Sequence, residues 1–329
     1  MPHAIAFTGV NEVALREIEP LDRRPGEILV RTELSAVSPG TELRCLAGLQ
    51  PDSVPFPFIP GYSLVGVVEA ADPDSPVQPG QRVFASGTRR ASITPQWGGQ
   101  TGQAVLNAVD AFPIPEGLAS EAAVLAKLVA IASRGVTLTK PTAETKVAVV
   151  GLGPIGLLSA RLFQAAGAQV LAVDRIPERR DLASKGGLHT TEPEPTIAAA
   201  VQAHFQTLAD VVVDATGVAA VLPDSMAAAR DLPWMDRDHL DGPTLVIQGS
   251  YPGDFCLPYQ SAFRKELAVR VPRDNTPKDL KNAISLLAEG KLKVTDLLTE
   301  IAPPQAAPEV YAKLRTDRTW LTAAFRWND

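Results

Sequence analysis

The chain has 329 residues, of which 45% are hydrophobic and 21% charged, and a formal net charge of −6; that length favours two domains over a single core. The mild acidity argues against a nucleic-acid partner or an anionic membrane surface. The start, "MPHAIAFTGVNEV", lacks the basic segment and long apolar run of a secretory signal, and two cysteines, Cys45 and Cys256, call for no oxidising compartment. A cytoplasmic protein is expected.

In chain order, "GEILVRTELSAVS", "LVGVVEAA" and "GQRVFASG" read as short strands bounded by Gly, Pro and Asp. Dense proline disfavours long helices here, so a partly barrel-like β domain is expected up to residue 118. A helix is expected from Glu121 to Gly135, with Ser120 as its cap. The run "KVAVVG" then reads as a strand buried on both faces. Three glycines and a proline break up the apolar stretch it begins, from Lys146 to Phe163, which makes a poor membrane span. Helix "PIGLLSARLFQAAG" and strands "QVLAVD", "ADVVVDATG", "PTLVIQGSY" and "ELAVRVP" follow. The stretch "TTEPEPTIAAAVQAHF" reads as a loop entering a helix. Strands alternating with helices predict a doubly wound α/β domain over 119–272. Two further helices, the first stopped by Gly290, and a strand "WLTAAFRW" close the chain. The strand is expected to rejoin the first domain, giving that domain the segments 1–118 and 273–329.

Gly151, Gly153 and Gly156 in "VVGLGPIG" have the G-x-G-x-x-G spacing, directly between a buried strand and a helix. The first glycine permits a tight turn, the second lets a pyrophosphate approach the backbone, and the third allows close helix–strand packing. The helix N-terminus offers unpaired N–H groups, Ile155 among them, and the positive end of a dipole; Pro154 suits the first turn, where its missing N–H costs nothing. Asp174, at the end of the next strand, suits a ribose hydroxyl pair and repels a 2′-phosphate, which favours NAD over NADP. Arg175, Arg179 and Arg180 follow it and are the groups that would attract a 2′-phosphate instead.

Together "SPGTEL", "FIPGYSLVGVVEA", "VQPGQRVFASG", "GGQTGQAVLNAVDAFPIPEGL", "VAVVGLGPIG", "ADVVVDATG" and "LVIQGSY" resemble the medium-chain dehydrogenase/reductase superfamily. The resemblance covers nearly the whole chain. It implies a GroES-like catalytic domain, a Rossmann domain and an active site in the cleft between them. It also implies cofactor contacts from Thr216 and Gly217 of "DATG" and from Gly249 and Ser250 of "QGSY". Among zinc-lacking members, the "S-x-G-T-E" turn, the "P-G-Y" motif and the terminal "AAFRW" look similar to the hydroxyethyl-bacteriochlorophyllide dehydrogenases.

The departures bear on the chemistry. Pro39 stands at the catalytic-zinc cysteine, and Gly61, Tyr62 and Ser63 replace the Gly-His-Glu motif. The structural-zinc lobe, between Val83 and Gly98, contains no cysteine. His3, His189, His204 and His239 fall at none of the expected ligand places, so no zinc is expected. A metal-free site needs donors or a cation aimed at the substrate oxygen. Thr41, Tyr62 and Lys127 are the candidates. Each has a plainer role open to it: a turn hydroxyl, a ring filling the vacated space, and a lysine reaching the surface or pairing with Glu42 or Glu121. Glu42 is expected to orient Thr41 or contact Lys127, and Cys45 to be core.

The expected activity is zinc-independent interconversion of a secondary alcohol and a ketone with NAD(P), on a small-molecule substrate. An enone or quinone reductase and a nucleotide-binding protein without catalysis are the alternatives. A homodimer is expected through the edge of the Rossmann sheet, with "PTLVIQGSY" and "GDFCLPYQ" carrying the contact.

Overall fold

The computed structural model describes residues 1–19, 21–234 and 241–327. The chain divides into two compact units, Met1–Lys127 with Leu280–Asp329, and Leu128–Asp279.

The first unit opens with strands β1 (His3–Gly9), β2 (Glu12–Glu17) and β3 (Glu27–Ala36) and helix α1 (Pro39–Leu46). Strands β4 (Phe58–Ile59), β5 (Leu64–Ala70), β6 (Arg82–Ala85), β7 (Thr94–Pro95), β8 (Gln103–Asn107) and β9 (Phe112–Pro113) follow, then the single turn of α2 (Ser120–Ala123). The second unit contains most of α3 (Ala126–Thr139), then β10 (Lys146–Val150), α4 (Pro154–Ala165), β11 (Gln169–Val173), α5 (Pro177–Lys185), β12 (His189–Thr191) and α6 (Ile197–Phe205). It continues through β13 (Val211–Asp214), α7 (Leu222–Ala227), β14 (Thr244–Ile247), α8 (Tyr259–Lys265) and β15 (Ala268–Arg270). After α9 (Pro277–Ala288), the strand β16 (Leu298–Ala302), the helix α10 (Ala307–Thr316) and the strand β17 (Thr322–Arg326) complete the first unit.

In the first unit a seven-stranded sheet runs β16-β17-β3-β5-β6-β9, with β8 also paired to β3, beside a small sheet β2-β1-β4-β7. The C-terminal β17 lies antiparallel to β3, Ala324 opposite Ala36. The strand at the end of the chain therefore completes a sheet begun by residues 27–36. Phe7, Phe58, Tyr311, Phe325 and Trp327 form the core beneath α1 and α10.

The second unit is a parallel sheet in the order β12-β11-β10-β13-β14-β15, the doubly wound arrangement with its switch point beside β10. Val147, Ala148 and Val149 are fully buried because helices cover both faces of such a sheet. Leu157, Leu158 and Phe163 of α4 are equally buried, each contributing about 1.5–3 kcal/mol.

Three expectations need correction. The helix expected from Glu121 to Gly135 is two helices, broken at Val124–Leu125, and the second runs on to Thr139. Gly135 does not stop it; it is where the helix meets Phe163, whose ring carbon would lie 3.4 Å from an added Cβ. Ser120 is not the cap: Ala119 is, and the Ser120 hydroxyl instead accepts from Arg82 at 2.7 Å and donates to Glu33 at 3.0 Å. Finally, the segment expected to carry the dimer contact includes β14, which is paired on both sides. Its main-chain groups are used within the sheet, and among the described residues the free edge on that side belongs to β15.

Candidate active site

The glycine turn has the form its spacing requires. Gly151 sits at φ +88°, and a Cβ on Gly156 would lie 1.7 Å from the Gly151 carbonyl oxygen. Only glycine lets α4 approach β10 so closely. A Cβ on Gly153, in contrast, would meet nothing nearer than the Arg179 guanidinium, at 3.9 Å. The second glycine thus faces open space bordered by a cation, at the start of a 12-residue helix with Pro154 in its first turn. That cradle fits a pyrophosphate.

Asp174 is buried, and its carboxylate accepts the N–H of Leu152 at 2.6 Å and of Ile176 at 2.8 Å. It ties the glycine turn to the end of β11. Arg179 lies 3.9 Å from the same carboxylate. Arg180 donates to the Asp174 carbonyl at 2.8 Å, while Arg175 is exposed. Of the three arginines, Arg179 is the one beside the turn, because α5 starts at Pro177 and its first turn folds back.

Thr216, Gly217, Gly249 and Ser250 come together at the C-terminal ends of β13 and β14: a Cβ on Gly217 would lie 2.8 Å from the Ser250 carbonyl oxygen, and one on Gly249 2.7 Å from the Gly217 nitrogen. Asp214 organises these turns. Fully buried, it accepts from the Thr216 N–H and hydroxyl, from Ser225 at 2.6 Å and from Tyr251 at 2.5 Å.

In the first unit, Thr41, Tyr62 and Lys127 converge. The Tyr62 hydroxyl lies 3.2 Å from that of Thr41, and the Lys127 ammonium stands over the Tyr62 ring, 5.8 Å from its centre. A fourth group, not singled out from the sequence, is closer: the Ser38 hydroxyl is 2.5 Å from Tyr62. Trp97 meets the same ring edge-to-face, with centres 5.4 Å apart. Glu121 pairs with Arg326 at 2.6 Å.

Behind this cluster Glu42 is fully buried. One oxygen accepts the Ser38 N–H at 2.6 Å; the other accepts the Tyr311 hydroxyl at 2.5 Å and the Gln100 amide at 3.2 Å. The Gln100 carbonyl accepts from Ser35, whose hydroxyl accepts from the Trp327 indole. Glu42 therefore fixes the start of α1 against α10 and the residue-100 loop. Burial pushes its carboxyl up from the ordinary 4.5 to about 7, against the opposing pull of the Tyr311, Ser38 and Gln100 hydrogen bonds. Tyr311 is held far above the phenol range by burial and by Glu42, so it remains a neutral donor. Cys45 is core: burial first, then Glu42, pushes its thiol up to about 12. Both cysteines are free thiols.

A family model described as "Zinc-binding dehydrogenase" matches residues 154–289, and one described as "Alcohol dehydrogenase GroES-like domain" matches residues 24–133. The 2-desacetyl-2-hydroxyethyl bacteriochlorophyllide A dehydrogenase of Cereibacter sphaeroides is 28% identical over 98% of both chains. The chain belongs to the zinc-type medium-chain dehydrogenase/reductase superfamily. An alcohol dehydrogenase of a Thermus species superposes with a TM-score of 0.84 at 25% identity, covering 98% of this chain and 99% of that one. A short chain alcohol dehydrogenase of Escherichia coli complexed with NADH superposes with a TM-score of 0.85 at 21% identity, over 99% of both. The two units are the GroES-like and Rossmann domains of this superfamily, and the reaction is of the alcohol-dehydrogenase type.

The residues present do not fit the zinc for which the superfamily is named. Pro39 has no ligand atom, Tyr62 is engaged with Ser38 and Thr41, and the Ser63 hydroxyl donates to the Val124 carbonyl. Among the described residues, no group of three or more His, Cys, Asp or Glu side chains gathers to hold a metal. His3 lies on β1, and the rings of His189 and His204 lie tilted to each other, 5.2 Å apart, at the β12 edge of the Rossmann sheet. His239 lies outside the described residues.

Proposed function

We propose that the chain is a zinc-independent, NAD-dependent oxidoreductase that interconverts a secondary alcohol and a ketone. The observation that carries this reading is the gathering of Ser38, Thr41 and Lys127 on Tyr62, where the superfamily's histidine ligand would stand. The relative named for a hydroxyethyl bacteriochlorophyllide supports an alcohol group as the reacting centre, and the neighbour complexed with NADH supports a nicotinamide cofactor.

Gly151, Gly153, Ile155 and Gly156 would hold the pyrophosphate and Asp174 the adenosine ribose, with Thr216, Gly217, Gly249 and Ser250 framing the rest. A bound nicotinamide supplies or accepts the hydride. In the reducing direction Tyr62 gives its phenol proton to the substrate oxygen as the carbonyl carbon gains hydride, and the product is the neutral alcohol. The negative charge left on the phenol oxygen is met by the Ser38 and Thr41 hydroxyls and by the Lys127 ammonium, which do for it what a metal does for an alkoxide. A solvent proton then returns to Tyr62 through Thr41, the more exposed of the two hydroxyls. Oxidation runs the same steps backwards.

The test is NAD reduction by a panel of secondary alcohols with a chelator present throughout. Turnover insensitive to the chelator, in protein holding far less than one zinc per chain, is expected. Activity on enones alone would support a reductase instead, and zinc lost together with turnover would end the metal-free reading.

Asp174→Ala should weaken NADH binding about 10- to 100-fold, the range for hydrogen bonds to a charged group, and narrow its margin over NADPH. Titration of both nucleotides checks this; tighter NADPH binding by the parent chain would show that Arg179 and its neighbours prevail. We also propose a homodimer through β15, whose free edge carries the exposed Val269 and adjoins the exposed Val271. A monomer in sedimentation at micromolar concentration would refute it.

A further inference from the structure

We infer that Trp97 is the specificity-determining residue of this site: its indole is a wall on which a flat conjugated ring, carrying the reacting secondary alcohol, stacks. The inference rests on the reading of Tyr62 as the group that serves the reacting oxygen.

Trp97 lies between β7 and β8 at φ +68°. A bulky residue at positive φ is a strained outlier, and it persists only where its surroundings insist on it. They do so here through main-chain bonds. The N–H groups of Gln96, Gly98, Gly99 and Gln100 donate to the carbonyls of Ile59, Ile59, Gly61 and Pro60, between 2.7 and 3.2 Å. The backbones touch so closely that a Cβ on Gly87 would lie 2.1 Å from the Trp97 carbonyl oxygen, and one on Gly99 2.7 Å from the Gly61 carbonyl carbon. The loop is thereby tied to the segment that ends in Tyr62.

Glycine or asparagine would occupy such a position at less cost. If Trp97 served only to pack, its ring would be covered. The residue is instead 39% exposed while the ring's edge-to-face contact with Tyr62 is kept. A large apolar ring, held in a strained conformation and left open beside the proposed proton donor, is a contact surface for something that arrives. Its chemistry selects an extended, flat, conjugated ring over a short aliphatic chain, which has no face to stack.

Haematoporphyrin, a porphyrin bearing 1-hydroxyethyl groups, is a suitable probe, with binding read by absorbance titration and turnover read separately. Trp97→Gly is the informative variant, because it removes the ring and relieves the positive-φ strain together. Its Tm should hold or rise and its NADH affinity should be unchanged, while haematoporphyrin affinity falls about 10-fold. Trp97→Phe should restore most of that affinity. No binding by the parent chain, or equal affinity in Trp97→Gly, would overturn the inference. Two further outcomes separate it from the reading beneath it. Trp97-dependent binding with no turnover of haematoporphyrin or of the secondary-alcohol panel sinks the dehydrogenase reading and leaves the wall. Turnover indifferent to Trp97→Gly does the reverse.

Discussion

Tyr62→Phe should lower turnover on the order of 100-fold or more, the usual loss when one donor to the reacting oxygen is removed, with nucleotide binding preserved. The substitution keeps the ring, and with it the edge-to-face contact to Trp97 and the face beneath Lys127. It removes only the oxygen on which Ser38 and Thr41 converge. Lys127→Met keeps the apolar stem and removes the charge, and should also cost turnover while leaving the fold intact. Nucleotide affinity is the internal control, since the glycine turn and Asp174 belong to the other unit. Steady-state kinetics on a verified alcohol, with NADH titration in parallel, decide the matter. Full turnover in both variants would make these side chains packing residues, and Thr41 alone is too little to stabilise an alkoxide.

Glu42 should give the protein a stability that falls with rising pH, opposite to most carboxylates. Its carboxyl is raised from 4.5 to about 7 in the fold, so between those values the folded chain holds a proton that the unfolded chain has released. The Glu42 contribution is therefore full below about pH 4.5, declines as pH rises towards 7, and is flat beyond. A shift of that size corresponds to on the order of 3 kcal/mol. Glu42→Gln cannot ionise and should abolish this slope, whatever its absolute stability after its new NH2 group loses the bond from Ser38 or from Gln100. Chemical denaturation of both proteins from pH 5 to 8 measures the difference. Parallel curves would mean that Glu42 titrates alike in the folded and unfolded chain.

Much of the molecule was legible because its determinants are local. The glycine spacing, a continuous apolar strand before it and Pro154 after it belong to one short segment, and the backbone conformations they allow follow from covalent geometry. The acid at the end of β11 and the order of strands and helices were readable for the same reason. That Pro39, Tyr62 and Ser63 stand where the superfamily has zinc ligands was readable only through the resemblance, since nothing local in the sequence marks those positions. The convergence of Thr41 and Lys127 on Tyr62 was expected only through resemblance to a family whose fold brings those segments together.

What only the tertiary structure decided depends on chain segments that meet far from where they are encoded. Glu42 finds Tyr311 across 269 positions and Gln100 across 58; no spacing in the sequence ties them, and the carboxyl's raised pKa exists only once burial has removed its water. Ser38 read as a turn residue until the fold set its hydroxyl against a phenol 24 positions away. Nothing in the sequence singled out Trp97; main-chain pairing with residues 59–61 gives it its positive φ and its place beside Tyr62. The sheet's free edge went to β15 rather than β14 for a related reason: an apolar run shows that a strand is buried, but which neighbour covers it is settled by strand order, which is a property of the assembled sheet.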